Sequence, residues 1–179
     1  GLQIERNIPV MHHTSPEGHC EIVLRDVRVP VGNLIHREGA GFAVAQARLG
    51  PGRIHHCMRS IGQCELALQL MCERAAERKT FGRYLHQQAN VAEWIARSRI
   101  EIDQARLLVL KAAWMIDQVG AKGAAREVAM IKALVPCVHT AVCDRAMQVF
   151  GAMGLSPDTP LAAMWTLGRL LRIADGPDE

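Results

Sequence analysis

One carboxylate near the end of the chain is the residue best suited to acid–base chemistry. Asp175 follows an apolar run that begins near Leu161, and Gly176-Pro177 comes directly after it. Because Gly-Pro cannot continue a helix, one interpretation is a solvated turn residue at a helix end. The other is a carboxylate held at the mouth of an apolar pocket, where it would act as a general base.

A second candidate segment is the hexapeptide Glu-Arg-Lys-Thr-Phe-Gly that ends at Gly82. Its two cations lie at a predicted helix C-terminus, where the helix dipole favours them, so surface charge alone could explain them. However, the cation Arg78, the hydroxyl of Thr80 and the ring of Phe81 together suit a nucleotide diphosphate beside a ring. Further hydrogen bonds to such a ligand are expected from Gln88 and Gln148.

The sequence predicts neither a metal site nor a Rossmann fold. His12 and His13 point to opposite faces of a predicted strand, so they are poor co-ligands for a tetrahedral metal. The run His55-His56-Cys57 fails for a similar reason on a helix. Gly39-Ala-Gly41 lacks the preceding strand, the third glycine and the distal acid of a dinucleotide fingerprint.

Composition favours a packed, mainly helical protein. Of the 179 residues, 49% are hydrophobic, 22% are charged and only 4% are aromatic. The net charge is +3, with basic and acidic residues interleaved. Nucleic-acid binding needs a basic stripe, often with stacking aromatics, so we expect no nucleic-acid partner, whereas a small ligand carrying phosphates fits this charge.

The six cysteines form no C-x-x-C pair and mostly lie in helical patterns. We interpret them as reduced core residues of an intracellular protein. No apolar run is long enough to predict a transmembrane segment. Because the chain begins at Gly1 and stops on charged residues just after Asp175, we expect it to be a piece of a longer protein.

The elements that must position these residues are strands followed by helices. Residues 1–35 have the alternating pattern of a few strands, with a turn at 14–18. A short helix over 42–49 is predicted to stop at Gly50-Pro51-Gly52. Long helices joined by short turns pack as antiparallel neighbours, so residues 50–175 predict a bundle of four helices. Their expected ranges are 54–78, 90–118, 124–150 with a kink or break at Pro136, and 161–174.

With these segments in place, the chain resembles the C-terminal part of an acyl-CoA dehydrogenase. The resemblance implies a mainly α fold, in which residues 1–37 are the end of a middle β domain and residues 38–179 are a C-terminal antiparallel four-helix bundle. The matching segments follow the family's order: Asp26-Val-Arg-Val-Pro30, Arg37-Glu-Gly-Ala-Gly-Phe42, Gly52-Arg53-Ile54, Glu77-Arg-Lys-Thr-Phe-Gly82, Gln88-Ala89, Gln148-Val-Phe-Gly-Ala-Met-Gly154 and Arg172-Ile-Ala-Asp-Gly176.

The resemblance also implies FAD bound between subunits of a homodimer or homotetramer, and it assigns site residues by position. Residues next to FAD of a neighbouring subunit would be Arg78, Thr80, Phe81 and Gln88. Those near the adenosine diphosphate portion of FAD would be Gln148, Gly151 and Ala152. Further cofactor contacts are expected from Pro177, Asp178 and Glu179, and acyl-CoA contacts from Gly50, Pro51, Gly52, Arg53 and Gly176.

The position of the family's catalytic base is occupied by Asp175. The family usually has Glu-Gly-Thr there, whereas this chain has Asp-Gly-Pro, a form similar to an atypical branch that can be fused behind a kinase-like domain. Aspartate is one methylene shorter, about 1.5 Å of reach. A misplacement of that size costs about a hundredfold in rate unless the backbone compensates. Pro177 also lacks the hydroxyl that the usual Thr offers the flavin.

The implied reaction is α,β-dehydrogenation of an acyl-CoA thioester. Asp175 would remove the α-proton, the β-hydrogen would leave as hydride to FAD, and electrons would pass to an electron-transfer flavoprotein. The location would be mitochondrial or peroxisomal in a eukaryote and cytoplasmic in a bacterium. We expect these residues alone to be inactive, because the N-terminal helices that wall the acyl pocket lie outside them.

Two alternatives remain open at this point. One is a non-catalytic oligomerisation or binding module of the same fold, which the Asp-for-Glu and Pro-for-Thr changes favour. The other is an acyl-CoA oxidase, which shares the fold but passes its electrons to oxygen.

Overall fold

The computed structural model describes residues 1–14, 16 and 18–178. The predicted turn at 14–18 and the predicted cofactor contact Glu179 therefore fall partly or wholly outside the described residues. The chain divides into two compact units, Gly1–Val44 and Ala45–Glu179. The domain boundary between residues 37 and 38 stays a prediction.

The first unit contains one antiparallel strand pair. Strand β1 (Leu2–Asn7) pairs with β2 (Cys20–Leu24), with Leu2 opposite Leu24 and a register shift between Ile4 and Arg6. Nearly every residue of both strands is exposed. Two strands alone cannot bury a face, so this pair has no core of its own.

The second unit is a bundle of four antiparallel helices, which confirms the predicted fold class. Contacts between opposite ends of neighbouring helices show the antiparallel arrangement. A Cβ at Gly50, near the start of the first helix, would lie 3.9 Å from Ala121 at the end of the second, and Lys132 near the start of the third donates to the Leu171 carbonyl at the end of the fourth. Fully buried side chains such as Met71, Ile102 and Ile131 fill the centre. The helices are α1 (Gly41–Glu77), α2 (Ala89–Gly123), α3 (Ala125–Phe150) and α4 (Leu161–Leu171).

The predicted helix stop at Gly50-Pro51-Gly52 is wrong, because α1 is one continuous helix through Pro51. A proline inside a helix removes one backbone hydrogen bond and costs about 3 kcal/mol. The helix nevertheless continues: Ile54, three residues later, packs against the core, and Gly50 approaches α2 closely enough that a Cβ there would lie 3.9 Å from Ala121. Tertiary packing here overrides a local helix breaker.

The predictions for Gly120 and Pro136 have different outcomes. Gly120 has φ 73° and ψ 167°, which interrupts α2 where the turn at residues 120–123 is predicted. Helix α3 contains Pro136 without a break in its assignment, so the local break that the sequence allowed there is wrong. The Thr140 hydroxyl donates to the carbonyls of Pro136 and Cys137, at 3.1 and 3.0 Å.

The last helix ends at Leu171, three residues before the predicted end at residue 174. The Leu171 carbonyl accepts a 2.8 Å hydrogen bond from Lys132 Nζ, and the backbone reaches φ +59° at Asp175. A positive φ is incompatible with a continuing right-handed helix. Residues 172–175 therefore form a turn, and this turn presents Asp175.

An ion-pair cluster joins α1 to α2 on the outside of the bundle. Glu65 accepts two 2.7 Å hydrogen bonds from Arg99 and pairs with Arg106 as well. These side-chain hydrogen bonds, with that from Arg99 the largest contribution, lower the pKa of Glu65 to about 2. The cluster fixes the part of α1 that follows the candidate site.

Two glycines shape the turn that ends α3. Gly151 has φ 66°, and its N–H donates to the carbonyls of Gln148 and Met147. Gly154 is buried, and a Cβ there would lie 2.7 Å from the Met147 carbonyl oxygen and 2.9 Å from its Cα. Both clashes are with backbone, which cannot rotate away.

Gly154→Ala in the full-length protein is therefore expected to lower the free energy of unfolding by about 1–3 kcal/mol, the usual cost of overpacking. Urea denaturation measures it. Gly62→Ala is the matched control, since nothing lies within 4 Å of a Cβ at that helical position. The control should be neutral or stabilising by about 0.5–1 kcal/mol. A Gly154→Ala protein as stable as the control would contradict the close approach.

Candidate functional site

The backbone of Asp175 is fixed by a side chain from α1. Arg53 donates to the Asp175 carbonyl oxygen from both Nε, at 3.1 Å, and Nη2, at 2.7 Å. Gly176 follows with φ +101°, and a Cβ there would lie 3.2 Å from Arg53 Nη2. Glycine thus both permits the backbone turn and leaves room for the guanidinium.

The carboxylate of Asp175 is half-enclosed and incompletely paired. Its Oδ2 lies 3.0 Å from Nε2 of His56, and the two side chains are 23% and 30% exposed. The contact lacks hydrogen-bond geometry, so the buried Oδ2 has no hydrogen-bond donor among the described residues. Buried polar atoms without a partner are uncommon in folded proteins. The carboxylate of Asp175 is therefore held mainly through its contact with His56 and through its backbone.

An open cavity of about 220 Å³ lies beside Asp175. Its wall is mostly apolar, with His56, Arg59 and Ser60 of α1 on one side. The structure thus combines both interpretations of Asp175, since the residue belongs to a turn and also lines an apolar cavity. The apolar lining residues are Leu167, Leu170, Leu171 and Ala174.

A much smaller cavity, of about 10 Å³, lies on the inner side of the same carboxylate. This volume suits about one water molecule. Lys132 and Ser60 line it, and the Ser60 hydroxyl has no hydrogen-bond partner among the described residues. Burial lowers the pKa of Lys132 below its usual value.

The predicted cofactor segment forms a tight hairpin between α1 and α2. Strand β3 (Lys79–Thr80) pairs with β4 (Arg83–Tyr84) around Phe81 and Gly82, whose φ angles are 50° and 80°. Two positive φ angles are the signature of a two-residue hairpin turn, in which Gly is favoured. The Phe81 ring is 103% exposed, so no described residue covers it.

Four of the predicted cofactor contacts line one open cavity of about 350 Å³. Thr80 and Phe81 come from the hairpin, Gln88 is the residue just before α2, and Gln148 lies near the end of α3. The structure therefore brings together residues that are up to 68 positions apart in sequence, from 80 to 148.

The other predicted cofactor residues lie elsewhere. Arg78 is exposed just after α1, and the exposed Gly151 and Ala152 form the turn after α3. Pro177 is exposed as well. Asp178 accepts a 2.7 Å hydrogen bond from Arg172 Nε, which lowers the pKa of the Asp178 carboxyl.

The predicted substrate contacts occupy one segment of α1 and the final turn. Gly50, Pro51 and Gly52 lie within the helix, with Pro51 exposed. The guanidinium of Arg53 is engaged by the Asp175 carbonyl, and Gly176 lies against it. Their role in binding acyl-CoA stays a prediction.

Sequence reasoning missed two residues of the site, His56 and Lys132. Arg53, His56, Cys57 and Ser60 recur at i, i+3, i+4 and i+7, which places them on one face of α1. Polar residues on a helix face that otherwise turns toward the core could have indicated a site there. Lys132 is likewise a cation within the buried stripe of α3.

None of the described helices combines the length and apolar character that spanning a bilayer requires. Within residues 1–14, 16 and 18–178, no group of three or more His, Cys, Asp or Glu side chains is arranged to hold a metal ion.

Comparison with known proteins agrees with this architecture. A sequence profile described as "Acyl-CoA dehydrogenase, C-terminal domain" matches residues 39–179. FadE2 of Mycobacterium tuberculosis, a probable acyl-CoA dehydrogenase, is 58% identical over 179 residues, which are 100% of this chain and 44% of that protein.

Solved structures show the same likeness. A Mycobacterium abscessus protein assigned as an acyl-CoA dehydrogenase superposes with a TM-score of 0.94 at 47% identity, covering 99% of this chain and 44% of that one. Butyryl-CoA dehydrogenase from Megasphaera elsdenii gives a TM-score of 0.87 at 31% identity, covering 99% and 46%. The chain thus spans less than half the length of these relatives. It belongs to the acyl-CoA dehydrogenase family, and residues 39–179 correspond to the C-terminal domain of that family.

Proposed function

We propose that the full-length protein catalyses FAD-dependent α,β-dehydrogenation of an acyl-CoA thioester, with Asp175 as the base. The observation that carries this proposal is the incompletely paired carboxylate of Asp175, a residue that lines an apolar cavity of about 220 Å³ and whose buried Oδ2 has no hydrogen-bond donor among the described residues. An acyl chain suits such a wall, because each Å² of apolar surface that it buries there stabilises binding by about 25 cal/mol.

The proposed flavin-binding residues are Thr80, Phe81, Gln88 and Gln148, together with the cation Arg78. Their fit to FAD is supported by the 350 Å³ cavity that the first four line and by the uncovered ring of Phe81. An exposed aromatic ring beside hydroxyl and amide groups offers both stacking and hydrogen bonds. Bound FAD would supply a hydride acceptor.

The chain's own residues would take four roles in the reaction. Leu167 and Leu170 would exclude water from the acyl chain. Arg53 would hold the backbone of the base, and the Asp175 carboxylate would receive the α-proton. Gly50, Pro51, Gly52 and Gly176 would lie along the acyl-CoA.

Assembly into a homodimer or homotetramer is part of the proposal. Apolar side chains on the outer face of α2 stay exposed at heptad spacing, which suits a second helical surface. They are Ile100, Leu107, Leu110 and Trp114.

The proposed location is intracellular, because six free cysteines fit a reducing compartment. The proposed electron acceptor is an electron-transfer flavoprotein.

The test is the visible absorption spectrum of the purified full-length protein with FAD, before and after anaerobic addition of a short and a long acyl-CoA. We expect a bound flavin that bleaches with one of the thioesters. A full-length protein that binds no flavin would contradict the proposal and favour an assembly module. Rapid reoxidation by oxygen would instead indicate an acyl-CoA oxidase.

A further inference from the structure

We propose that His56 is a positioning residue for Asp175: its ring, 3.0 Å from Oδ2, holds the carboxylate of the base on the wall of the acyl cavity. This inference rests on the proposed function, because it assigns His56 a part in the same reaction. It concerns the orientation of the base, and no covalent step is assigned to the imidazole.

Arg53 and His56 hold Asp175 from one face of α1. Arg53 and His56 are three positions apart on α1, so they present their side chains on the same face, one turn apart. Arg53 holds the backbone carbonyl of Asp175, whereas His56 lies against its carboxylate. One rigid helix thus fixes the two ends of the same residue, which a flexible turn could not do alone.

The other basic side chains around the His56–Asp175 pair have different partners or lie farther from the carboxylate. Four basic side chains line the two cavities beside Asp175: Arg53, His56 and Arg59 of α1, and Lys132 of α3. Lys132 donates to the Leu171 carbonyl, and Arg53 donates to the Asp175 carbonyl. Among these, only His56 is within ion-pair distance of the carboxylate in the described residues.

The short side chain of Asp175 makes a positioning contact effective. Aspartate reaches about 1.5 Å less far than the glutamate usual in the family, one C–C bond. A shorter side chain has fewer rotatable bonds, so its carboxylate can be oriented by a single neighbouring ring. His56 also lines the 220 Å³ cavity, so it is placed to orient the oxygen toward a substrate there.

The test compares variants of the full-length FAD-loaded protein. For His56→Leu we expect kcat to fall about 10–100-fold, because a misplacement of about 1 Å costs up to a hundredfold. KM for the acyl-CoA should change less than about threefold, since the loss concerns a group aligned for the chemical step. His56→Gln, which returns a polar side chain with an N–H to this position, should recover about tenfold of the loss, because a donor group again lies beside the carboxylate.

His55 provides a matched control on the adjacent position. Its side chain is exposed and lines neither cavity beside Asp175, although its ring meets that of His56 in a tilted contact with centroids 5.7 Å apart. Because this contact leaves the nitrogen of His56 beside Oδ2 in place, His55→Leu should change kcat and KM by less than about threefold. Equal losses in the two Leu variants, or no recovery in His56→Gln, would overturn the positioning role.

A crystal structure of the His56→Leu protein tests the inference without any turnover. We expect the Asp175 carboxylate to leave its present position while Arg53 still holds the backbone carbonyl. An unmoved carboxylate would overturn the inference even if the protein is an active dehydrogenase. A displaced carboxylate in a full-length protein without dehydrogenase activity would instead refute the proposed function and keep the positioning contact.

Discussion

Replacing Asp175 by Asn in the full-length protein is expected to lower the rate of acyl-CoA dehydrogenation by about 10³-fold and to leave FAD bound. A positioned general base contributes about 10²–10⁴-fold to rate, and an amide cannot accept the α-proton. The substitution keeps the size of the side chain. The Arg53 hydrogen bonds go to the backbone carbonyl of residue 175, so the turn should persist.

Anaerobic stopped-flow bleaching of the flavin with an acyl-CoA measures this rate. Asp158→Asn is the control, because Asp158 is an exposed carboxylate in the loop before α4. Its rate should match that of the unmodified protein. Retained dehydrogenation in the Asp175→Asn protein, with flavin bound, would show that another group is the base.

Replacing Phe81 by Ala is expected to weaken FAD binding about 10–100-fold without loss of folding stability. Burial of an aromatic side chain contributes about 1.5–3 kcal/mol, and every 1.4 kcal/mol corresponds to a factor of ten. The ring of Phe81 is 103% exposed at the tip of the hairpin, so it contributes no packing within the described chain. The whole effect should therefore appear in cofactor binding.

Titration of the FAD-free full-length protein with FAD gives the dissociation constant, and thermal unfolding of the FAD-free protein gives the stability. Phe81→Tyr is the matched control, because it keeps the ring and the backbone position. It should bind FAD nearly as the unmodified protein does. Unchanged FAD affinity in Phe81→Ala would mean that the exposed ring meets something other than the cofactor.

The helical bundle was predictable because its signal is local and repeated. Apolar residues at helical spacing, such as Ile102 and Val109 of α2 or Ile131 and Val135 of α3, are the buried ones in the structure. The breaker at Pro51 misled the prediction, since a proline acts locally whereas the packing that keeps α1 continuous comes from α2. The predicted end of α4 was wrong for a related reason, because the Leu171 carbonyl accepts a hydrogen bond from Lys132 of another helix.

The candidate site was predictable only in part. The resemblance identified Asp175, and the residue types around Phe81 suggested a nucleotide ligand. The contact between His56 and Asp175 was beyond sequence reasoning, because the two are 119 positions apart, from 56 to 175. Spacing within a single helix cannot reveal a partner that arrives from a turn after another helix.

The hydrogen bonds from Arg53 to the Asp175 carbonyl also bear on the order in which the chain folds. They join residues 122 positions apart. Closing a loop of that length costs on the order of 4 kcal/mol of chain entropy, which neither a single contact nor a local helix recovers. Because the contact itself offsets little of this cost, we expect it to form after α1, α3 and α4 have assembled. We therefore expect the turn that carries Asp175 to be among the last parts of the chain to become ordered.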